Sequence, residues 1–175
     1  MIELIGKLCS ICNLGLMLTE PASVSGGLTH KMYHVITNSG EYAVKILNSD
    51  IMKRPEALNN MINSEKVSHA LSDKIPLIAA KSLDGKYVAE LEKSFFMVFD
   101  WMNAESVFAS DITTLHCKEI GKILGMIHRA NIVIEDIKKE RAARKPYEWD
   151  IWLAKAAALD TKWLPDFYRI APKLK

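Results

Sequence analysis

The sequence predicts an α+β fold: a five-stranded antiparallel sheet with one helix across it, then two or three further helices. Three observations predict it. Short apolar runs divided by turn residues occupy positions 16–47 and 81–100, as in hairpins. A polar, helix-forming segment at 48–72 separates these two strand groups. Beyond residue 111 the apolar spacing becomes helical and stays so.

The elements follow in order. Ile2, Ile5, Leu8, Cys9 and Cys12 lie on one face of an amphipathic helix over 2–14. Leu16-Met17-Leu18 starts the first strand, and Glu20-Pro21 must sit at an edge or a bulge, because proline cannot donate to a central ladder. Lys31–Thr37 is the second strand. Asn38-Ser39-Gly40-Glu41 is a hairpin turn in which Gly40 supplies the positive φ, and Tyr42–Leu47 returns. Pro55 is placed like an N-terminal helix residue. The helix continues from Glu65 to Ser72, with Val67, Ala70 and Leu71 as its packed side. Lys81-Ser82, the turn Asp84-Gly85-Lys86, Tyr87–Leu91 and Ser94–Asp100 complete the sheet. Asp111 is the expected cap of a helix reaching Asn131, striped by Ile112, Leu115, Ile120, Ile123, Leu124 and Ile127. Trp149, Trp152, Leu153, Ala156, Leu159 and Trp163 indicate a last amphipathic helix over 148–160, and Pro165 and Pro172 punctuate its end.

Composition narrows the function. The 175 residues are 49% hydrophobic and 25% charged, ordinary for a globular protein. With 23 basic and 21 acidic residues the net charge is +2, which gives no polyanion-binding excess, so no nucleic-acid partner is expected. The run Lys138, Lys139, Arg141, Arg144, Lys145 is interrupted by Glu140 and reads as a solvated helix face. Cys9 and Cys12 form C-x-x-C, but no second pair follows, so they read as small core hydrophobes rather than a zinc half-site. With Cys117 they fit a reducing cytoplasm. Glu3 spoils a signal peptide, and Asn13 and Gly15 break the first apolar stretch well short of the ~20 residues a membrane span needs.

One residue asks for a partner. Lys45 stands inside the apolar run Ala43-Val44-Lys45-Ile46-Leu47, and burying an unpaired ammonium costs several kcal/mol. Phosphate oxygens beneath a turn rich in free backbone amides, with a helical carboxylate behind, would supply it. The turn Ser25-Gly26-Gly27-Leu28-Thr29 lies just upstream; its bland alternative is an ordinary hairpin bend.

The segment Ser25-Gly26-Gly27-Leu28-Thr29-His30-Lys31-Met32-Tyr33 resembles the S-G-G-x-x-N-x-x-Y loop of the aminoglycoside phosphotransferase and choline kinase-like superfamily, with His30 where asparagine is commoner. The helix Glu119-Ile120-Gly121-Lys122-Ile123-Leu124-Gly125-Met126-Ile127-His128 is similar to that family's L-G-x-x-L-x-x-L-H segment, and together the motifs cover residues 17–131. The resemblance implies a protein-kinase-like small lobe over 1–102 and, over 103–175, a linker and the first helices of an incomplete second lobe. It implies that Ser25, Gly26, Gly27, Leu28 and Thr29 approach the triphosphate through main-chain amides. Lys45 would neutralise α- and β-phosphate charge, Ala43 would floor the adenine, and Glu65, with Glu56 as competitor, would orient Lys45. Along Phe96–Asn103, the Asp100 carbonyl and the Met102 amide would bond the base edge.

The implied activity is ATP-dependent transfer of a phosphoryl group to a hydroxyl of a small molecule such as an aminoglycoside or choline. ATP is the expected cofactor, with GTP as the alternative and Mg²⁺ in the full-length enzyme, in a cytoplasmic protein with no membrane partner. The family's H-x-D-x-x-x-x-N loop has no counterpart: residues two places after the five histidines are Met32, Ile36, Leu71, Lys118 and Ala130. No catalytic residue is therefore expected in this chain, no metal ligand is assigned, and the chain alone should not catalyse transfer. The competing readings are a non-catalytic kinase-like nucleotide-binding or scaffold protein, and an unrelated α+β domain.

Overall fold

The structure, a computed structural model, describes residues 1–25, 29–137, 149–159 and 161–170. The chain divides into two compact units, Met1–Ile137 and Lys138–Lys175.

In the first unit, α1 (Ile2–Ile11) precedes β1 (Ala22–Val24), β2 (Lys31–Thr37) and β3 (Gly40–Ile46). Then come α2 (Ser49–Met52), α3 (Ala57–Leu71), β4 (Ala89–Leu91), β5 (Ser94–Asp100) and α4 (Thr114–Ala130). As expected, the five strands form one antiparallel sheet, and their order in it is β1-β2-β3-β5-β4.

Alternation sorts the sheet into two faces. Val35, Val44, Phe96 and Val98 are fully buried against Ile5, Leu8 and Cys9 of α1. Burying each large apolar side chain contributes about 1.5–3 kcal/mol, which fixes the register. The opposite face carries Met97, Phe95 and Phe99, packed with Leu47, Ala80, Val88 and, from α2 and α3, Met52, Met61 and Ile62. The sheet thus has a helix on each face.

Local chemistry explains where elements start and stop. Thr37 pairs with Gly40, leaving Asn38-Ser39 as a two-residue loop, and Gly40 takes φ 151°. Leu16-Met17-Leu18 does pair with the end of β2, through the Met17–Thr37 bridge and the bond from Leu18 N to Ile36 O. The regular first strand, however, is Ala22–Val24, with its register shifted by two residues across Pro21. Gly15 sits at φ 94°, where a Cβ would collide with the Asn38 side chain, so the chain can enter the sheet there only as glycine.

Three other expectations are corrected. Val67 and Ala70 are exposed; Leu71 is buried as expected, and the other residues α3 buries are Ala57 and Glu65. The cap of α4 is Thr113, not Asp111: its hydroxyl accepts from His116 N while His116 Nδ1 accepts from Thr113 N, a reciprocal capping pair. Asp111 ends a single 3₁₀ turn, Ala109–Asp111. None of the apolar stripe of α4 is buried; Leu115, Ile120 and Leu124 are each more than half exposed.

The second unit contains α5 (Trp149–Ala158) and α6 (Leu164–Ile170). Pro165 opens α6 rather than closing the preceding helix, because a first-turn N–H needs no intrahelical partner. The basic run at 138–145 and Pro172 lie outside the described residues.

Cys9 is buried and Cys12 half-buried, as core positions should be, and burial pushes both thiols above their ordinary pKa. Cys117 is exposed. A neutral thiol reagent should therefore label Cys117 first, and Cys9 only as fast as the fold opens. Mass mapping of the first adduct checks this; prompt labelling of Cys9 would contradict it.

Candidate functional site

Lys45 pairs across the sheet with Met32 and with Met97, so it faces the α3 side together with Ala43. It is half-buried, and among the described residues no carboxylate lies within ion-pair distance of it. The charge that the sequence placed inside an apolar run is therefore still available. Ala43 is flanked by His34 and Phe99 as its cross-strand partners.

Glu65 departs from its expected pairing. Its side chain is buried, and Oε2 accepts a hydrogen bond of 2.8 Å from the amide of Ala80, itself fully buried. One turn on, His69 Nε2 lies 2.7 Å from the Ala80 carbonyl oxygen, while its ring stacks on Tyr87 at 4.6 Å. An acceptor oxygen fixes the proton on Nε2. Two α3 side chains thus clasp both main-chain groups of one buried residue, which no water could satisfy. Glu56 is the exposed residue preceding α3.

At the far end of β5 the main chain alternates in the direction of its hydrogen bonds. Trp101 N donates to Glu41 O at 3.0 Å and Leu47 N to Phe95 O at 2.9 Å, so the odd residues of β5 bond β3. The even residues turn their main chain the other way: the Val98 carbonyl accepts from Lys81 N at 2.7 Å, and Asp100 lies two residues on. The Asp100 side chain is held by Lys81 Nζ at 2.6 Å. Met102 is exposed, and its amide has no hydrogen-bond partner among the described residues.

Beside this edge lies a feature the sequence did not announce. The rings of His34 and Trp101 stack with centroids 3.7 Å apart and planes 14° from parallel. Glu41 Oε2 lies 2.8 Å from His34 Nε2. His34, Gly40, Glu41, Trp101 and Asn103 line a cleft of about 770 Å³. Strand parity, once β5 is extended to residue 101, would have put both rings on one face; their contact is invisible without the register.

Ser25 and Thr29 are exposed on either side of the glycine pair, while Gly26, Gly27 and Leu28 lie outside the described residues. Just past them, His30 Nδ1 accepts from Asn48 N at 3.0 Å, tying the start of β2 to the end of β3. Burial first, and the charge of Lys45 second, push the His30 pKa below 6.5. A group depressed in the folded state binds its proton more readily when unfolded, so its contribution to stability is present above pH 6.5 and lost as pH falls. A proton NMR titration should find its midpoint under 6.5; a value above it would contradict the neighbourhood described.

Among the described residues no group of three or more His, Cys, Asp or Glu side chains could hold a metal ion. No described helix is long and apolar enough to cross a membrane.

No protein-family model matches the sequence, and no curated protein is detectably similar to it. The structure does superpose on that of spectinomycin phosphotransferase, APH(9)-Ia, in complex with ADP and spectinomycin, with a TM-score of 0.52 and 15% identity. The match takes in 95% of this chain and 53% of that one, so the chain spans about half the length of the protein it resembles. At this identity the likeness shows the fold alone: an α+β architecture with a five-stranded antiparallel sheet, shared with about half of that protein.

Proposed function

We propose that this chain forms the nucleotide-binding part of an ATP-dependent phosphotransferase whose acceptor is a hydroxyl of a small molecule. The observation that carries the reading is Lys45: a half-buried lysine on the α3 side of the sheet, with no carboxylate among the described residues paired to it. A polyanion is the ligand that such a cation suits. The glycine pair Gly26-Gly27, flanked by Ser25 and Thr29 and followed by Leu28, would offer main-chain amides to the same phosphates. The base would lie against Ala43, with its edge bonded to the Asp100 carbonyl and the Met102 amide. An acceptor followed by a donor matches the amino group and ring nitrogen of adenine and opposes the corresponding edge of guanine. ATP is therefore assigned over GTP.

In this reading residues 1–102 are the small lobe, and 103–175 are the linker and first helices of a second lobe. The exposed apolar stripe of α4 supports a further helical layer in the whole protein. The acceptor would bind there, and Mg²⁺ would take protein ligands from there, as would the residue that receives the acceptor proton. The chain alone is expected to bind nucleotide without turning it over.

A second reading, a kinase-like protein that binds nucleotide or partners without catalysis, is favoured by one observation. None of the five histidines is followed two residues on by an acid. Calorimetric titration with MgATP and MgGTP tests both. Saturable heat with ATP and at least ~10-fold weaker binding of GTP, the discrimination expected of a hydrogen-bonded base edge, supports the nucleotide site. No heat at millimolar ATP would overturn it.

A further inference from the structure

We propose that the cavity between α3 and the β4–β5 hairpin is a binding site for a small amphipathic carboxylate, an apolar body of chain or ring carbon that ends in one negative charge. The cavity shares no residue with the nucleotide reading above, so the two stand or fall separately.

The cavity measures about 750 Å³, within the usual range for small-ligand sites of roughly 300–1,000 Å³. On α3, Leu58, Ile62 and Lys66 recur every four residues and so form one stripe along the helix. Tyr87, Val88 and Phe95 line the cavity from the sheet side. Ile62, Val88 and Phe95 also belong to the core between α3 and the sheet. A ligand that reaches these three therefore meets the edge of that core, and carbon rather than polar atoms.

The walls are held before any ligand arrives. The Tyr87 ring stacks on His69, which is itself bonded to the Ala80 carbonyl. Lys86 is fixed by main-chain bonds of 2.7 and 2.9 Å exchanged with Leu83. Leu91 pairs with Ser94, so Glu92 and Lys93 are a two-residue loop, and both take positive φ, 49° and 63°. Lys7 on α1 donates to the Glu92 carboxylate at 2.5 Å and anchors that loop. Binding then costs little additional ordering of the protein.

Charge selects the ligand. Lys66, Lys86 and Lys93 line the cavity with Glu90 and Glu92, and Glu92 is already occupied by Lys7. Among the described residues Lys86, Lys93 and Glu90 have no ion pair, which leaves an excess of one lysine. Lys66 is paired with Asp136, but at 3.4 Å, the longest of the described ion pairs. A single carboxylate balances that excess, while the stems of the lysines lie along its apolar body.

Octanoate, 1-octanol and octylammonium share one chain length and differ in charge. Each is titrated into the protein carrying carbon-13 in its methyl groups, and binding is followed by NMR. Octanoate is expected to shift the methyls of Leu58, Ile62 and Val88. It should bind about tenfold more tightly than either of the other two, the lower end of what a hydrogen bond to a charged group contributes. Lys66→Met keeps the stem and removes the charge, so octanoate should fall to the level of octanol, whose own affinity stays as in the parent. Leu58→Asn, at an exposed position of the wall, should weaken octanoate and octanol alike.

If Lys66→Met does not fold, the double variant Lys86→Ala, Lys93→Ala, at two exposed positions, gives the same comparison. Shifts confined to Leu115, Ile120 and Leu124 would put the ligand on the exposed stripe of α4 and overturn the cavity site. Equal affinity for octanoate and octylammonium would overturn the choice of an anion. No shift at millimolar octanoate would overturn the site outright. None of these outcomes bears on the nucleotide reading, which the MgATP titration decides.

Discussion

Replacing Lys45 by Ala is expected to weaken nucleotide binding by up to about two orders of magnitude while leaving the fold intact. Hydrogen bonds between an ammonium and phosphate are each worth about 1.5–3 kcal/mol, so losing one weakens binding by ~10–150-fold. Loss of the balancing charge makes the upper part of that range the expectation. The fold should survive because Lys45 makes no ion pair with any described residue. Its aliphatic stem stands across from Met97, so Lys45→Met is the better control. That variant keeps the apolar contact and should unfold at the temperature of the parent, yet bind no better than Lys45→Ala. Calorimetry with MgATP and tripolyphosphate reads the affinity, and circular dichroism the stability. Parent-like affinity in Lys45→Met would mean that the ammonium meets no phosphate.

What the sequence made legible was whatever is decided locally. The bounds of β2, Lys31–Thr37, and of β5, Ser94–Asp100, are those the alternation predicts, because period-two patterning and turn residues act within a few positions. The first strand came out displaced, since Pro21 moves the regular pairing to Ala22–Val24 and no pattern reports how many residues a bulge absorbs. The cap of α4 moved from Asp111 to Thr113 for a related reason. Both residues are good caps, and only the reciprocal bond with His116 decides between them. Lys45 was legible as a cation in an apolar run, and Ala43 as its neighbour on the same face. The partners of the candidate site were not. The acceptor bond from Ala80 to Glu65 spans fifteen positions and uses a main-chain amide, which carries no side-chain signature. The His34–Trp101 contact joins two strands that are not sequence neighbours and needs the register of β2, β3 and β5 together. Burial on α3 was misassigned to Val67 and Ala70 because hydropathy does not foresee a carboxylate being taken into the interior by a hydrogen bond.

That buried carboxylate gives the second large effect, and two substitutions at Glu65 divide its roles. Glu65→Ala leaves the Ala80 amide fully buried with no acceptor, a loss of about 1–3 kcal/mol beyond the cavity it opens. A total near 3 kcal/mol is expected, read as a lowered midpoint in denaturant unfolding with an unchanged slope. Glu65→Gln keeps an oxygen of the same reach, so it should retain most of that stability. It cannot, however, balance the charge of Lys45. In the structure Glu65 Oε2 is committed to Ala80, and no ion pair to Lys45 exists, so any help to Lys45 must come from Oε1 after nucleotide has drawn the ammonium into place. If Glu65 has that second duty, Glu65→Gln binds MgATP several-fold more weakly at nearly parental stability. If its duty is only to clasp Ala80, Glu65→Gln binds as the parent does. Glu65→Ala would then lose affinity only in proportion to the fraction unfolded. Measuring stability and affinity on the same two variants therefore tells a structural carboxylate from one that also serves the phosphates, which neither measurement does alone.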